Sequence, residues 1–210
     1  MITAAEHLIL QNKAKEVVAK VASFLKPNLS EKEVYKFARE TIKNDPDIEG
    51  IWHPITVKFD RSTLIDGVLH KPSEDVLLHE VAIIDLGLII NGVEIDYGVT
   101  VGFNKKAKQL ANKAVEILHK ALNELEQNFS KYSPAEFYKV IEGYAKESNL
   151  FLISKSAGHS LGIFPTPKSK IKIRPDETAL DFKEYAAWMV EIQVSDGSIG
   201  AFFEDLVYLR

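Results

Sequence analysis

The chain has no cysteine among its 210 residues, which excludes disulfides, Cys-ligated zinc and a cysteine nucleophile. Nor is positive charge in surplus: 26 Lys and Arg stand against 30 Asp and Glu, a formal net charge of −4. That balance leaves no electrostatic footprint for nucleic acid. The one basic run, Lys168 to Arg174, alternates Lys with apolar residues and reads as an exposed strand edge or loop. No apolar run approaches the roughly 18 residues that span a bilayer, so no membrane association is expected. The start carries Glu6 and His7 within its apolar stretch and has no basic lead-in, unlike a secretory signal. A cytoplasmic location is the default expectation. What is present, 46% hydrophobic residues and 11 Phe, suits one globular domain over 1–210.

Apolar positions at helical spacing (Val17, Val18, Val21, Leu25) open the chain and stop at Lys26-Pro27-Asn28. Ser30-Glu31-Lys32-Glu33 is a capping box that starts a second helix to about Lys43. A short strand, Ile55 to Phe59, follows Trp52-His53-Pro54, and residues 60 to 78 read as loop. The clearest hairpin joins Val81–Ile90 to Val93–Phe103 through Asn91-Gly92, a strong two-residue turn signal. A long helix covers about Lys105 to Asn128, and Ser133-Pro134-Ala135-Glu136 starts another with a capping box and Pro at its first position. Strands at Leu150–Ser154, Ala186–Val194 and Ala201–Leu209 complete an α+β pattern, the last two flanking a turn at Asp196-Gly197-Ser198.

Four carboxylates stand out. A two-residue turn at Asn91-Gly92 sets Asp96 opposite Gly87, so Asp85 and Asp96 share a face as diagonal neighbours. A turn centred on Gly197-Ser198 sets Glu191 opposite Glu204. A lone Asp in a strand is ordinarily an edge residue or a satisfied hydrogen-bonder. Two same-face acidic pairs in apolar hairpins are different, because opposed like charges destabilise a sheet and desolvating each costs several kcal/mol. Protonation could neutralise one acid of a pair; two divalent cations would neutralise all four. Oxygen ligands with an imidazole suit Mn, Fe, Co or Zn.

In order, strand context and spacing, these residues resemble the creatinase, prolidase and methionine aminopeptidase family. The matching segments are Ile84-Asp85-Leu86-Gly87 with Asp96-Tyr97-Gly98, Gly158-His159-Ser160-Leu161-Gly162, Val190-Glu191-Ile192 and Phe203-Glu204-Asp205. Trp52-His53-Pro54 and the ending Gly200-Ala201-Phe202-Phe203-Glu204-Asp205 are similar to an Xaa-Pro peptidase-like branch without the N-terminal domain common among proline-specific members. The resemblance implies a pita-bread fold, two α+β halves related by a pseudo-twofold axis with two divalent ions between them. It implies that Asp85 chelates one ion, that Asp96 and Glu204 bridge both, and that His159 and Glu191 complete the other. A hydroxide bridging the ions would cleave a small peptide or amide substrate, often before proline, with Glu191 shuttling the proton to the leaving amine. A homodimer is also implied.

The family places a substrate-binding His near His70, and His53 is a further candidate of that kind. A second His usual in the family, seven residues after the ligand His, is here Thr166, whose hydroxyl cannot carry an imidazolium charge. That departure motivates the alternative of a degenerate pita-bread protein kept as a non-catalytic binding module. A metal-free creatinase-like amidinohydrolase is disfavoured, because the ligand set would have no purpose there. His7, His79 and His119 are expected in solvent. Phe164 and Tyr97 are candidates for shaping the pocket, against the plainer reading of core aromatics.

Overall fold

The computed structural model describes residues 2–67, 70–164, 171–177 and 181–209. Two helices open the chain, α1 (Ala4–Phe24) and α2 (Glu31–Lys43). Thr3 and Ser30 cap them with the reciprocal hydrogen bonds of a capping box, which satisfies backbone N–H groups that a helix start leaves bare. Four strands follow: β1 (Ile48–Ile51), β2 (Thr56–Phe59), β3 (Val81–Ile90) and β4 (Val93–Gly102). After α3 (Lys105–Asn128) and α4 (Pro134–Glu147) come β5 (Phe151–Leu152), β6 (Gly158–Ser160), β7 (Ala187–Ser195) and β8 (Gly200–Tyr208).

The two sets of strands make antiparallel sheets of the same plan. β4 pairs with β3 along its whole length, so β1 and β2 follow one another along the opposite edge of β3. In the second sheet β8 pairs with the whole of β7, and β5 and β6 follow one another along its far edge. α1 and α2 cover the first sheet, with Val17, Val18, Val21 and Val34 packed against Leu86, Leu88, Ile90 and Ile95. α3 and α4 cover the second, where Leu110, Ile117 and Phe137 meet Trp188, Val190 and Ile192. Full burial of each such aliphatic side chain contributes roughly 1.5–3 kcal/mol. Strands β4 and β8 bring the sheets together: the Thr100 hydroxyl accepts from Phe202 N at 2.6 Å and donates to Phe202 O at 2.8 Å.

The expected helices and hairpins are present, with small changes in length. The strand foreseen at Leu150–Ser154 is confined to Phe151–Leu152. β1 and β6 were not foreseen; each is short and depends on its partner strand rather than on its own pattern. His7, expected in solvent, is fully buried. It shares the face of α1 that carries Leu10, Gln11 and Ala14, and its ring meets Tyr208 edge-on at 6.5 Å. No described helix is long and apolar enough to cross a membrane.

Candidate metal centre

The first hairpin turns as its sequence requires. Asn91 and Gly92 adopt φ of 52° and 68°, the left-handed pair a tight two-residue turn needs. Gly87 then faces Asp96 and Asp85 faces Gly98, so both aspartates stand on one side of the sheet. Glycine at 87 leaves room for an imidazole: a Cβ there would lie 2.0 Å from His53 Cδ2. Trp52 N–H donates to Gly87 O at 3.1 Å and so fixes the chain just before that ring. His53 Nε2 reaches Asp96 Oδ1 at 3.0 Å and Asp85 Oδ1 at 3.5 Å.

The second hairpin pairs Glu191 directly with Glu204. His159 enters from β6, opposite Met189 and therefore on the face that carries Glu191. Gly158 lets β6 approach β7 this closely. Its φ is 142°, and a Cβ would strike Met189 O at 2.1 Å. His159 Nε2 lies 3.3 Å from Asp96 Oδ2, which joins the two halves at one carboxylate.

Burial and crowding dominate the electrostatics. Glu204 is 1% exposed, and burial pushes its carboxyl well above the ordinary value, with Asp96, Asp85 and Glu191 adding to the rise. Two ionised carboxylates cannot hydrogen-bond each other, and among the described residues neither oxygen of Glu204 has a donor. Burial raises Asp85 to about 8 against the pull of His53, and it raises Glu191 as well. Asp96 is also pushed up by burial, but His53 and His159 outweigh this and hold it below the ordinary value. Burial disfavours the charged form of His53; Asp96 and Asp85 overcome it and lift the imidazole to about 10. Orphaned buried oxygens on Glu204 and Asp85, beside imidazoles and further carboxylates, are a donor set that fits divalent cations.

A cavity of about 480 Å³ opens over this cluster, lined by His53, Asp85, Asp96, His159 and Glu191; Glu204, the strand partner of Glu191, is buried. Of the substrate-binding candidates, His53 lies inside the carboxylate cluster. His70 is not in the cavity wall; its Nε2 lies 2.6 Å from Glu31 Oε2. Thr166 lies outside the described residues. Phe164 and Tyr97 are not in the wall either, where Phe202 and Trp52 supply the aromatic surface.

Lys58, Thr56 and Ser156 line the cavity and were missed by sequence reading. Lys58 is 2% exposed and donates to Ile65 O at 2.8 Å, and burial lowers its ammonium below the ordinary range. The sequence did hold a signal for two of them. Thr56 and Lys58 alternate with core residues Val57 and Phe59, two polar groups on one face of a fully buried strand. Where the basic run is described, Ile171 and Ile173 are buried and Lys172 and Arg174 exposed, as an edge would be, and both basic residues also line the cavity.

Two matching α+β halves meet at an acidic, imidazole-flanked cavity whose donors suit metal ions. The chain belongs to Metallopeptidase family M24, whose model matches residues 8–210. Among curated proteins none matches significantly in sequence. The fold is the pita-bread fold of several solved structures. X-Pro aminopeptidase from Thermotoga maritima is similar at a TM-score of 0.73 and 17% identity, covering 100% of this chain and 60% of its own. Prolidase from Pyrococcus furiosus is similar at 0.72 and 18%, covering 99% and 62%. Methionine aminopeptidase from Thermotoga maritima is similar at 0.69 and 17%, covering 92% and 87%. The chain thus spans about 60% of the length of the first two.

Proposed function

We propose that the chain is a dinuclear metal-dependent hydrolase that cleaves a peptide or amide bond as an aminopeptidase or Xaa-Pro peptidase. The observation that carries this reading is the convergence of Asp85, Asp96, Glu191 and Glu204 with His159 at one buried cluster, where both oxygens of Glu204 and one of Asp85 lack a donor among the described residues. Membership in a metallopeptidase family and likeness to peptidase structures support it. Asp85 would hold one ion, Asp96 and Glu204 would bridge two, and His159 with Glu191 would hold the second. Mn, Co, Fe and Zn all suit such oxygen and imidazole donors. When bound, the ions supply an acidified water and polarise the scissile carbonyl.

The chain's own residues supply the rest. Glu191 faces the cavity with a carboxyl that burial biases toward protonation, as a shuttle to the leaving amine requires. Lys172 and Arg174 add exposed positive charge to the lining, which would draw the carboxylate end of a short peptide. The cavity volume suits a ligand of dipeptide size. The deciding experiment incubates the protein with Mn, Co, Fe or Zn and a panel of Xaa-Pro dipeptides and N-terminal peptides. Cleavage that disappears in Glu191→Ala is expected. A panel left intact under every metal would overturn the reading.

A further inference from the structure

The two sheets share a plan, and the five family ligands fill that plan unevenly. The second half supplies one imidazole and two carboxylates, His159, Glu191 and Glu204; the first supplies Asp85 and Asp96. His159 comes from the strand on the outer edge of β7. The matching place in the first half is the outer edge of β3, where the chain leaves β1, crosses opposite Gly87 and resumes as β2. His53 stands in that crossing.

We propose that His53 is a metal ligand, completing with Asp85 and Asp96 a three-residue site that mirrors His159, Glu191 and Glu204. The inference rests on the reading that these carboxylates hold divalent ions, and adds a donor to the five that the family resemblance assigns.

Distances support it. Two donors each about 2.1 Å from a shared ion lie about 3.0 Å apart at an octahedral angle and about 3.4 Å apart at a tetrahedral one. His53 Nε2 lies 3.0 Å from Asp96 Oδ1 and 3.5 Å from Asp85 Oδ1, and one ligand atom from each of the three residues falls within 4.8 Å of the others. The two oxygens of Asp96 are divided between the halves, Oδ1 toward His53 and Oδ2 toward His159 at 3.3 Å. A carboxylate bridging two ions offers one oxygen to each.

The remote nitrogen of each ring is also secured. His53 Nδ1 lies 2.8 Å from Pro54 O and His159 Nδ1 lies 3.0 Å from Ser160 O. A carbonyl only accepts, so in both rings Nδ1 carries the proton and Nε2 is the nitrogen turned to the carboxylates, the orientation that backbone partners impose on metal-bound histidines. Gly87 completes the fit, since any side chain there would displace the imidazole.

The test uses the full chain with Co(II) or Zn(II) as the only ligand. X-ray absorption of the wild type loaded with two ions counts imidazoles directly: two per protein are expected, and one would overturn the assignment. Titration calorimetry of His53→Gln should show one of the two ions bound about a hundredfold or more weaker, with His119→Gln on the exposed face of α3 unchanged. Two ions held by His53→Gln at wild-type affinity would overturn it as well. If the wild type binds no ion at all, the hydrolase reading fails and this assignment fails with it. If it binds two with a single imidazole, the hydrolase reading stands and only the role of His53 is lost.

Discussion

Glu204 carries the sharpest contradiction in the molecule: a carboxylate almost wholly out of water, with three more acids around it and no donor to either oxygen among the described residues. Glu204→Gln should therefore act in opposite directions in two states. In chelator-treated protein the amide removes the cost of burying an ionisable acid, so at neutral pH unfolding should need more urea than in the wild type. In protein supplied with ions, the same change removes a ligand and should abolish the stabilisation that ions give. Loss of stability in the chelated form would show that Glu204 is satisfied by something other than a cation.

The same crowding sets a pH dependence. Glu204, Glu191 and Asp85 hold protons more tightly folded than unfolded, so the ion-free fold is favoured at low pH. It loses that advantage as pH climbs from the ordinary carboxylate range through about 8. His53 works in the same direction: its contribution is whole below 6.5 and fades toward about 10. Asp96 opposes them only as pH falls below its ordinary 3.8, and buried His7 opposes them as pH falls below its ordinary 6.5, one group against the four. Chelated protein should thus have a higher denaturation midpoint near about pH 5.5 than near about pH 8.5. A flat or rising profile between those values would refute the assignment of burial as the cause.

Hairpins are what made the site readable from letters alone. A turn of fixed length sets register, and register sets which acids share a face, so the sequence alone pairs Asp85 with Asp96 and Glu191 with Glu204. His159 was reached through its resemblance to a motif. The position of His53 depends on an irregular crossing between two short strands and on the missing side chain of Gly87, neither of which has a periodicity to detect. Lys58 was missed although it alternates with the core residues Val57 and Phe59. His70 was placed by its distance from Asp85 along the chain, and the intervening loop carries it to Glu31 instead. The clasp between hairpins was equally invisible, since it depends on one hydroxyl. Thr100→Val keeps the shape but strands the Phe202 N–H and C=O, and should lower stability by about 1–3 kcal/mol in chemical denaturation. It should also weaken ion binding, because Glu204 is two residues from Phe202 on β8. Wild-type values for both would show that the clasp positions nothing.

The two halves have separate hydrophobic cores, and the acids sit where they meet. Ions bound there would tie one half to the other and would bind the folded chain in preference to the unfolded. At a hundredfold excess over the dissociation constant this contributes about 2.7 kcal/mol, or about 5–10 °C in Tm for a chain of this size. Chelation should lower the melting temperature by that amount and readdition of Mn or Zn should restore it, as followed by circular dichroism. A melting temperature indifferent to both treatments would exclude an ion-bridged junction.

Trp52 gives the molecule an optical gauge of its own. Its indole donates to Ile95 O at 3.0 Å and stands edge-on to two imidazoles, with ring centres 4.4 Å from His53 and 5.3 Å from His159. The other tryptophan, Trp188, is sealed in the second core with its N–H on Phe182 O and Tyr185 O. Imidazolium quenches a neighbouring indole, so a cation that takes the lone pair of either ring changes the emission of Trp52 and leaves Trp188 as a constant background. Titrating zinc into chelated protein should brighten or shift tryptophan fluorescence, and Trp52→Phe should silence the response. Light emitted from this one side chain thus reports that an imidazole beside it is engaged, with no label and no substrate.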